Sequence, residues 1–354
     1  MYRQVENFIA GFLYYSGLVK LALWWRRRLG KNLVILNYHR ASGGDLRQHL
    51  LYLRRHYRLL HLEMGLKELY MPPQGGVQRD QRTPLVLTFD DGNRDNYTDG
   101  FKLACELQVP ITMFLIPGYI ESGSRFWWDE ATHLVSNAHV KETTIAGRKY
   151  HLERLDEQGA LIQTIDARVR NATSVAEREE FLTSVRKALA VPELIGTEER
   201  QATVPVTWAE VQAMEVSGLI SFGAHSMHHP ILAYLSDPLE VEYEVCECRN
   251  VLERQLGHAV YTFAYPCGKV KDIGENALRA VQQAGYCWAL TTINGLNTPQ
   301  TNPLLLRRVI VDVDQHWLSV AAKASGVWAF FTSLYRQPVT LMQTFSQVRC
   351  RGNR

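Results

Sequence analysis

The chain has few of the features that would place it in a specialised class. Its 354 residues include six cysteines, Cys105, Cys246, Cys248, Cys267, Cys287 and Cys350, and no Cys-x-x-Cys pair. That scatter excludes a cysteine-rich zinc module and reads as reduced thiols rather than a disulfide framework. Charge of one sign is scarce as well. Lysine and arginine number 39 against 36 acidic residues, and the net charge of +3 excludes the basic footprint of a nucleic-acid binder. A long uninterrupted apolar run is also missing. The most apolar stretch, Phe8 to Trp25, is broken by Lys20 and stops at Arg26-Arg27-Arg28, so it is too short to read as a spanning helix. No small-residue cleavage site follows it, which argues against a secretory signal peptide. The expected localisation is therefore cytoplasmic or peripheral to the inner membrane. The first 30 residues either pack over one end of the domain or lie in a membrane interface with their arginines on anionic headgroups. There is no internal repeat and no low-complexity tract.

What is present is an ordinary globular composition, 46% hydrophobic and 21% charged, which is enough to build a large core. Seven apolar runs recur along the chain: Asn32 to His39, Leu85 to Asp91, Ile111 to Pro117, Leu219 to His225, Val260 to Pro266, Cys287 to Thr292 and Leu304 to Val311. Helix-length segments alternate with them, among them Asp95 to Gln108, Trp208 to Ser217, Glu240 to Leu256 and Ile273 to Ala284. Continuous apolar strands separated by helices imply parallel pairing with both faces covered. Seven such units suggest an α/β barrel whose chemistry lies at the carboxyl ends of the strands. Three regions follow: an aromatic amphipathic helix over 1–30, a barrel over 31–316 and a helix with a frayed tail over 317–354. The barrel carries an insertion of about 126–206, built mainly of helices. At its start, Phe126-Trp127-Trp128 reads first as an anchor to the barrel and second as a stacking platform at the mouth of the site.

The chain is organised around Leu85-Val86-Leu87-Thr88-Phe89-Asp90-Asp91-Gly92, a buried strand that runs into two adjacent carboxylates. Two like charges at the edge of an apolar run call for a cation. Ligands to complete its shell occur in His225-Ser226-Met227-His228-His229-Pro230, where His225 and His229 are four apart on a tight turn, with His228 a rival. One carboxylate and two imidazoles leave a position open for water, as a catalytic site of the zinc type does. With Asp91 as ligand, strand alternation sends Asp90 elsewhere, into place for a general base. Ser226 reads as a hydrogen-bonding residue of the loop rather than a nucleophile.

Thr88-Phe89-Asp90-Asp91-Gly92 and His225-Ser226-Met227-His228-His229-Pro230 resemble the first two motifs of the polysaccharide deacetylases, the NodB-like carbohydrate esterases. The resemblance runs from about Leu33 to about Asp314. It implies a distorted (β/α)7 barrel and a divalent cation, zinc first, held by Asp91, His225 and His229. It also implies Asp90 as general base, the backbone N–H of Cys267 as oxyanion donor, and an N-acetylated carbohydrate as substrate. Two later motifs depart from the family pattern. In Phe263-Ala264-Tyr265-Pro266-Cys267-Gly268, Ala264 stands where the family has an arginine that holds the base, and Arg308, or Arg307 beside it, is the candidate replacement. In Leu304-Leu305-Leu306-Arg307-Arg308 the family's Leu-x-His is missing, which leaves His39 at the end of the first run as candidate general acid. Two alternatives stay open: a hydrolase of another non-peptide C–N bond, and a non-catalytic barrel that binds glycan or a membrane partner.

Overall fold

Each of the seven apolar runs contributes a strand to one parallel sheet in the computed structural model, which describes residues 2–28, 30–71, 80–192 and 204–336. In chain order the strands are β1 (Val34–Tyr38), β2 (Arg58–Leu60), β3 (Pro84–Phe89), β4 (Ile111–Leu115), β5 (Glu142–Ile145), β6 (Arg148–His151), β7 (Ile220–Ala224), β8 (Thr262–Ala264), β9 (Trp288–Leu290) and β10 (Val309–Ile310). The sheet order is β10-β1-β3-β4-β7-β8-β9, with the short β2 beside the first half of β3. The ring closes through the run before β10. Leu306 donates to the Ala289 carbonyl at 2.9 Å and accepts from the Thr291 N–H at 2.8 Å, and the chain then crosses to pair Val309 and Ile310 with β1. The result is the distorted (β/α)7 barrel.

Alternate residues of each strand divide between two cores, as the two-residue side-chain period requires. On β1, Val34, Leu36 and Tyr38 pack outward under the helices, whereas Leu33 and Ile35 join Val86, Phe114, Ala264, Leu290 and Leu306 inside the ring. Each fully buried apolar side chain of this interior is worth roughly 2 kcal/mol. Following the same phase toward the carboxyl ends, Ile35 is succeeded by Asn37, Val86 by Thr88 and Asp90, Gly223 by His225, and Leu306 by Arg308. The barrel therefore has an apolar middle and a polar rim.

The insertion has its own core around Phe126, Leu134, Leu161, Ile165, Leu182 and Val185, supplied by helices Trp127–Ser136, Leu155–Arg170 and Val175–Ala188. It also contains the β5–β6 hairpin, a departure from the mainly helical insertion expected. Ala146 and Gly147 turn that hairpin with φ of 52° and 78°. Both ends of the chain differ from the single helices expected. The first is two helices, Tyr2–Tyr15 and Leu18–Arg28, bent by 63° across Gly17, whose φ is 84°. The second is Trp317–Ser325 and Val327–Arg336, broken at Gly326, whose φ is 80°. Glycine relaxes into left-handed geometry that would end either helix. The five cysteines among the described residues are free thiols, and Cys350 lies outside them.

Candidate metal centre and active site

The strand β3 ends at Phe89, and the two carboxylates diverge for a reason other than strand alternation. Asp90 continues the ladder, its N–H donating to the Tyr38 carbonyl at 2.9 Å, so its side chain keeps the interior phase. Asp91 then turns left-handed, with φ of 73°, followed by Gly92 at 67°. That turn swings the second carboxylate toward the loop after β7. Left-handed backbone at a non-glycine residue is uncommon and clusters at functional sites. Here Ser226 (63°), His229 (54°) and Cys267 (57°) share it with Asp91.

The loop after β7 closes on itself through Ser226 Oγ, which accepts the His229 N–H at 3.0 Å, and the two imidazoles stand 4.8 Å apart, edge to face. Asp91 Oδ1 lies 3.5 Å from His225 Nε2 and 3.7 Å from His229 Nε2. One potential ligand atom from each of the three buried residues falls within 4.8 Å of the others. The His225 Nδ1–H donates to the Ala264 carbonyl at 2.7 Å, which fixes the tautomer and turns the Nε2 lone pair toward the cluster. His228 turns away. Its Nδ1 pairs with the buried Glu244 at 2.6 Å, and its ring packs on Gly118, where a Cβ would meet it at 2.7 Å. The loop is gripped from outside by the insertion. Trp127 Nε1 donates to the His229 carbonyl at 3.0 Å, buried Arg178 donates to the His228 carbonyl at 3.1 Å, and the Trp128 ring meets the His229 ring at 4.7 Å. The tryptophans thus anchor the insertion, and they do so on the histidine loop itself.

Asp90 is 1% exposed and held from two sides. Arg308 Nη1 donates to its Oδ1 at 2.7 Å and Asn37 Nδ2 to its Oδ2 at 3.1 Å. Arg308 is fully buried over the Phe114 ring, and its Nε donates to the Thr291 carbonyl at 2.8 Å. The guanidinium thus comes from the strand on the far side of β1, with Ala264 leaving the space free. Asn37 was not singled out from the sequence, although the two-residue step from Ile35 would have placed it on the same face. His39 is exposed at the rim, its carbonyl held by Asn93 and Asn96. Cys267 is half-buried in the turn after β8, its carbonyl accepting from Thr292 Oγ1 at 2.6 Å.

The electrostatics favour a cation. Burial pushes the Asp90 carboxyl upward, but Arg308 and His225 outweigh it and hold the group far below the usual carboxylate range. Asp91 follows the same balance, with burial opposed by the adjacent His225 and by His39 and His229, and the group is held below the usual carboxylate range. Burial and the neighbouring His225 push the His229 imidazole down to about 3, so it is neutral and free to ligate. Burial also opposes charge on His225, yet Asp90 and Asp91 raise it. The charge on Asp90 is answered by Arg308, whereas Asp91 has only imidazoles beside it. Two neutralisable nitrogens and one carboxylate oxygen around a common point form a donor set that suits a divalent metal. A separate recess of about 560 Å³, lined by His61, Met64, Thr112, Ser221 and Thr262, opens at the amino ends of the strands, away from this cluster.

A parallel α/β barrel with buried carboxylates and a histidine pair at its carboxyl rim is a fold whose rim residues could hold a metal ion. The polysaccharide deacetylase family model matches residues 78–178 and 181–288, more than half of the chain, and the chain belongs to that family. Solved structures agree on the fold. The deacetylase PplD of Streptococcus pyogenes, determined with acetate, is 16% identical, covers 83% of this chain and 98% of its own, and superposes with a TM-score of 0.54. IcaB from Ammonifex degensii is 19% identical over 84% and 98% of the two chains, with a TM-score of 0.53. A de-N-acetylase from Aggregatibacter actinomycetemcomitans is 13% identical over 82% and 98%, with a TM-score of 0.51. No functionally curated protein matches the chain in sequence.

Proposed function

We propose that this chain is a metal-dependent N-deacetylase that hydrolyses acetamido groups of an N-acetylated glycan. The observation that carries the reading is the meeting of Asp91, His225 and His229 within 4.8 Å beside an acid, Asp90, that has its own buried cation. Asp91, His225 and His229 would hold the metal, with zinc the first candidate. A divalent ion there supplies Lewis acidity for an acyl carbonyl and acidifies water at neutral pH.

The remaining roles belong to the protein. Asp90, ionised and fixed by Arg308 and Asn37, accepts the proton of the attacking water as general base. Arg308 is a positioning residue, since it reaches the reaction only through Asp90. The backbone N–H of Cys267 donates to the developing oxyanion, a duty independent of its side chain. Burial pushes the Cys267 thiol upward, which disfavours the thiolate that a covalent route would need. His39, whose field helps depress both Asp90 and Asp91, is the candidate acid for the departing amine. The names of the structural neighbours, deacetylase and de-N-acetylase, support the same reaction class.

Acetate release from an N-acetylglucosamine oligomer, measured with and without added zinc, tests the reading. Activity that needs metal and disappears in Asp90→Asn is expected. Metal-independent release, or release that survives in Asp90→Asn, would refute it.

A further inference from the structure

We infer that the bent N-terminal helix pair is a docking face for the surface of an anionic lipid bilayer, lying in the headgroup layer without crossing it. On Tyr2–Tyr15 and Leu18–Arg28 the side chains of Phe8, Phe12, Tyr15, Leu21, Trp24 and Trp25 are between 47% and 79% exposed. They recur at intervals of three and four, so each helix presents one apolar, aromatic face to solvent. Scattered exposed apolar residues need no explanation, but a contiguous patch on one face marks an interaction site. The last described helix, which carries Phe330 at 68% exposure, touches the second of the pair.

The opposite faces are committed to the body of the protein. Leu13, Val19 and Leu23 belong to the main core, and buried Arg26 donates to the Ala324 carbonyl at 2.8 Å. Gly326 makes room for that guanidinium, since a Cβ there would collide with it. No single helix among the described residues is long and apolar enough to span a bilayer. Only the pair together has the composition, and it is bent by 63°. A pair that buries one face on a barrel has only the other to give to lipid, which is the geometry of an interfacial element.

Charge selects the kind of surface. Lys20 and Arg27 on the second helix and Arg55 on Leu46–His56 are all exposed, and after burial the fields of these three cations push the pKa of the His56 imidazole down. Arg54 is exposed on the same turn, and Arg28 sits over the Trp24 ring at 4.3 Å. An aromatic face bordered by a cationic cluster matches the interface of a bilayer carrying acidic phospholipid, where each basic side chain strengthens binding by roughly fivefold.

The test is co-sedimentation of the full chain with vesicles of phosphatidylcholine, with and without phosphatidylglycerol. Binding to the acidic vesicles that weakens with salt is expected. It should fall more than tenfold in Phe8→Asp/Trp24→Asp and by roughly fivefold per site in Lys20→Gln, Arg27→Gln and Arg55→Gln. Unchanged thermal unfolding in these variants shows that they are folded. Three results would overturn the inference: a parent that stays in the supernatant with both vesicles, apolar-face variants that bind as well as the parent, or a face whose disruption only turns a dimer into a monomer. A parent that resists alkaline carbonate extraction from membranes would do the same, because it would span.

Discussion

Arg308→Met tests the electrostatic arrangement most directly. The guanidinium is fully buried and makes hydrogen bonds to Asp90, Asn37 and the Thr291 carbonyl. Methionine keeps much of the volume over Phe114 but leaves the carboxylate of Asp90 without its cation. Removing one partner of a buried ion pair costs roughly 3–5 kcal/mol, most of it from the uncompensated charge that remains. The pH dependence separates that cause from lost packing. In the parent the folded Asp90 carboxyl lies below its unfolded value, so its stabilisation is fully present above about pH 4 and fades only as pH falls through the depressed folded value. In the variant, burial persists without compensation, the folded value rises above the unfolded one, and stability is lost as pH climbs from about 4 toward neutrality. The deficit measured by urea unfolding of metal-free protein should therefore already be present near pH 4, where the ion pair stabilises the parent, and grow further toward pH 7. A deficit equal at both, or below about 1 kcal/mol at neutrality, would refute the reasoning. Asp90→Asn combined with Arg308→Met should be less destabilised than the sum of the single changes by about 2 kcal/mol, because both charges leave together. Arg308→Ala should also lose turnover far more than metal content, and equal loss of both would count against a role through Asp90.

Three further outcomes are expected. Gly92→Ala puts a Cβ 2.7 Å from Leu115 Cδ2 on a left-handed backbone, so it should cost roughly 1–3 kcal/mol in thermal unfolding, and a neutral effect would contradict the tight turn. Trp127→Phe deletes the hydrogen bond to the His229 carbonyl while keeping a ring, and should weaken zinc binding about tenfold in chelator competition. Unchanged affinity would detach the insertion from the histidine loop. His39→Ala should remove the alkaline limb of the pH–rate profile if His39 delivers the amine's proton, and a retained limb would take it out of the mechanism.

The parts of the molecule legible in the sequence are those where one short pattern carries one physical demand. Seven buried strands announce themselves as apolar runs, and the adjacent carboxylates at the end of one of them point to a cation when read together with the His225–His229 spacing. β2 was too short to stand out beside Tyr57, and the β5–β6 hairpin turns on Ala146-Gly147, a pair without the Asn-Gly or Asp-Gly signature. The divergence of Asp90 from Asp91 was read as strand alternation, whereas a left-handed residue produces it, and no local preference of aspartate reveals that. Gly17 and Gly326 break each terminal helix in two, although the apolar periodicity continues across both glycines and reads as one helix at each end. The grip of Trp127 and Arg178 on the histidine loop is a contact between distant segments, and periodicity is silent about such contacts.

The arginine that the resemblance leads one to look for at Ala264 shows what a motif does and does not specify. The physical requirement is a buried cation beside Asp90, and a barrel interior can meet it from any strand whose inward phase reaches the rim. Leu306 faces inward with the apolar layer, so Arg308, two residues on, faces inward one layer higher. Ala264 points into the same interior, and with only a methyl group it leaves room for a guanidinium arriving from the other side. Exchanging the two positions, with Ala264→Arg and Arg308→Ala together, asks whether place of origin matters. If charge at that point is the whole requirement, the double variant should recover much of the stability that Arg308→Ala loses near pH 7. If the bonds of Arg308 to Asn37 and Thr291 matter as much as its charge, the double variant should unfold as readily as the single one.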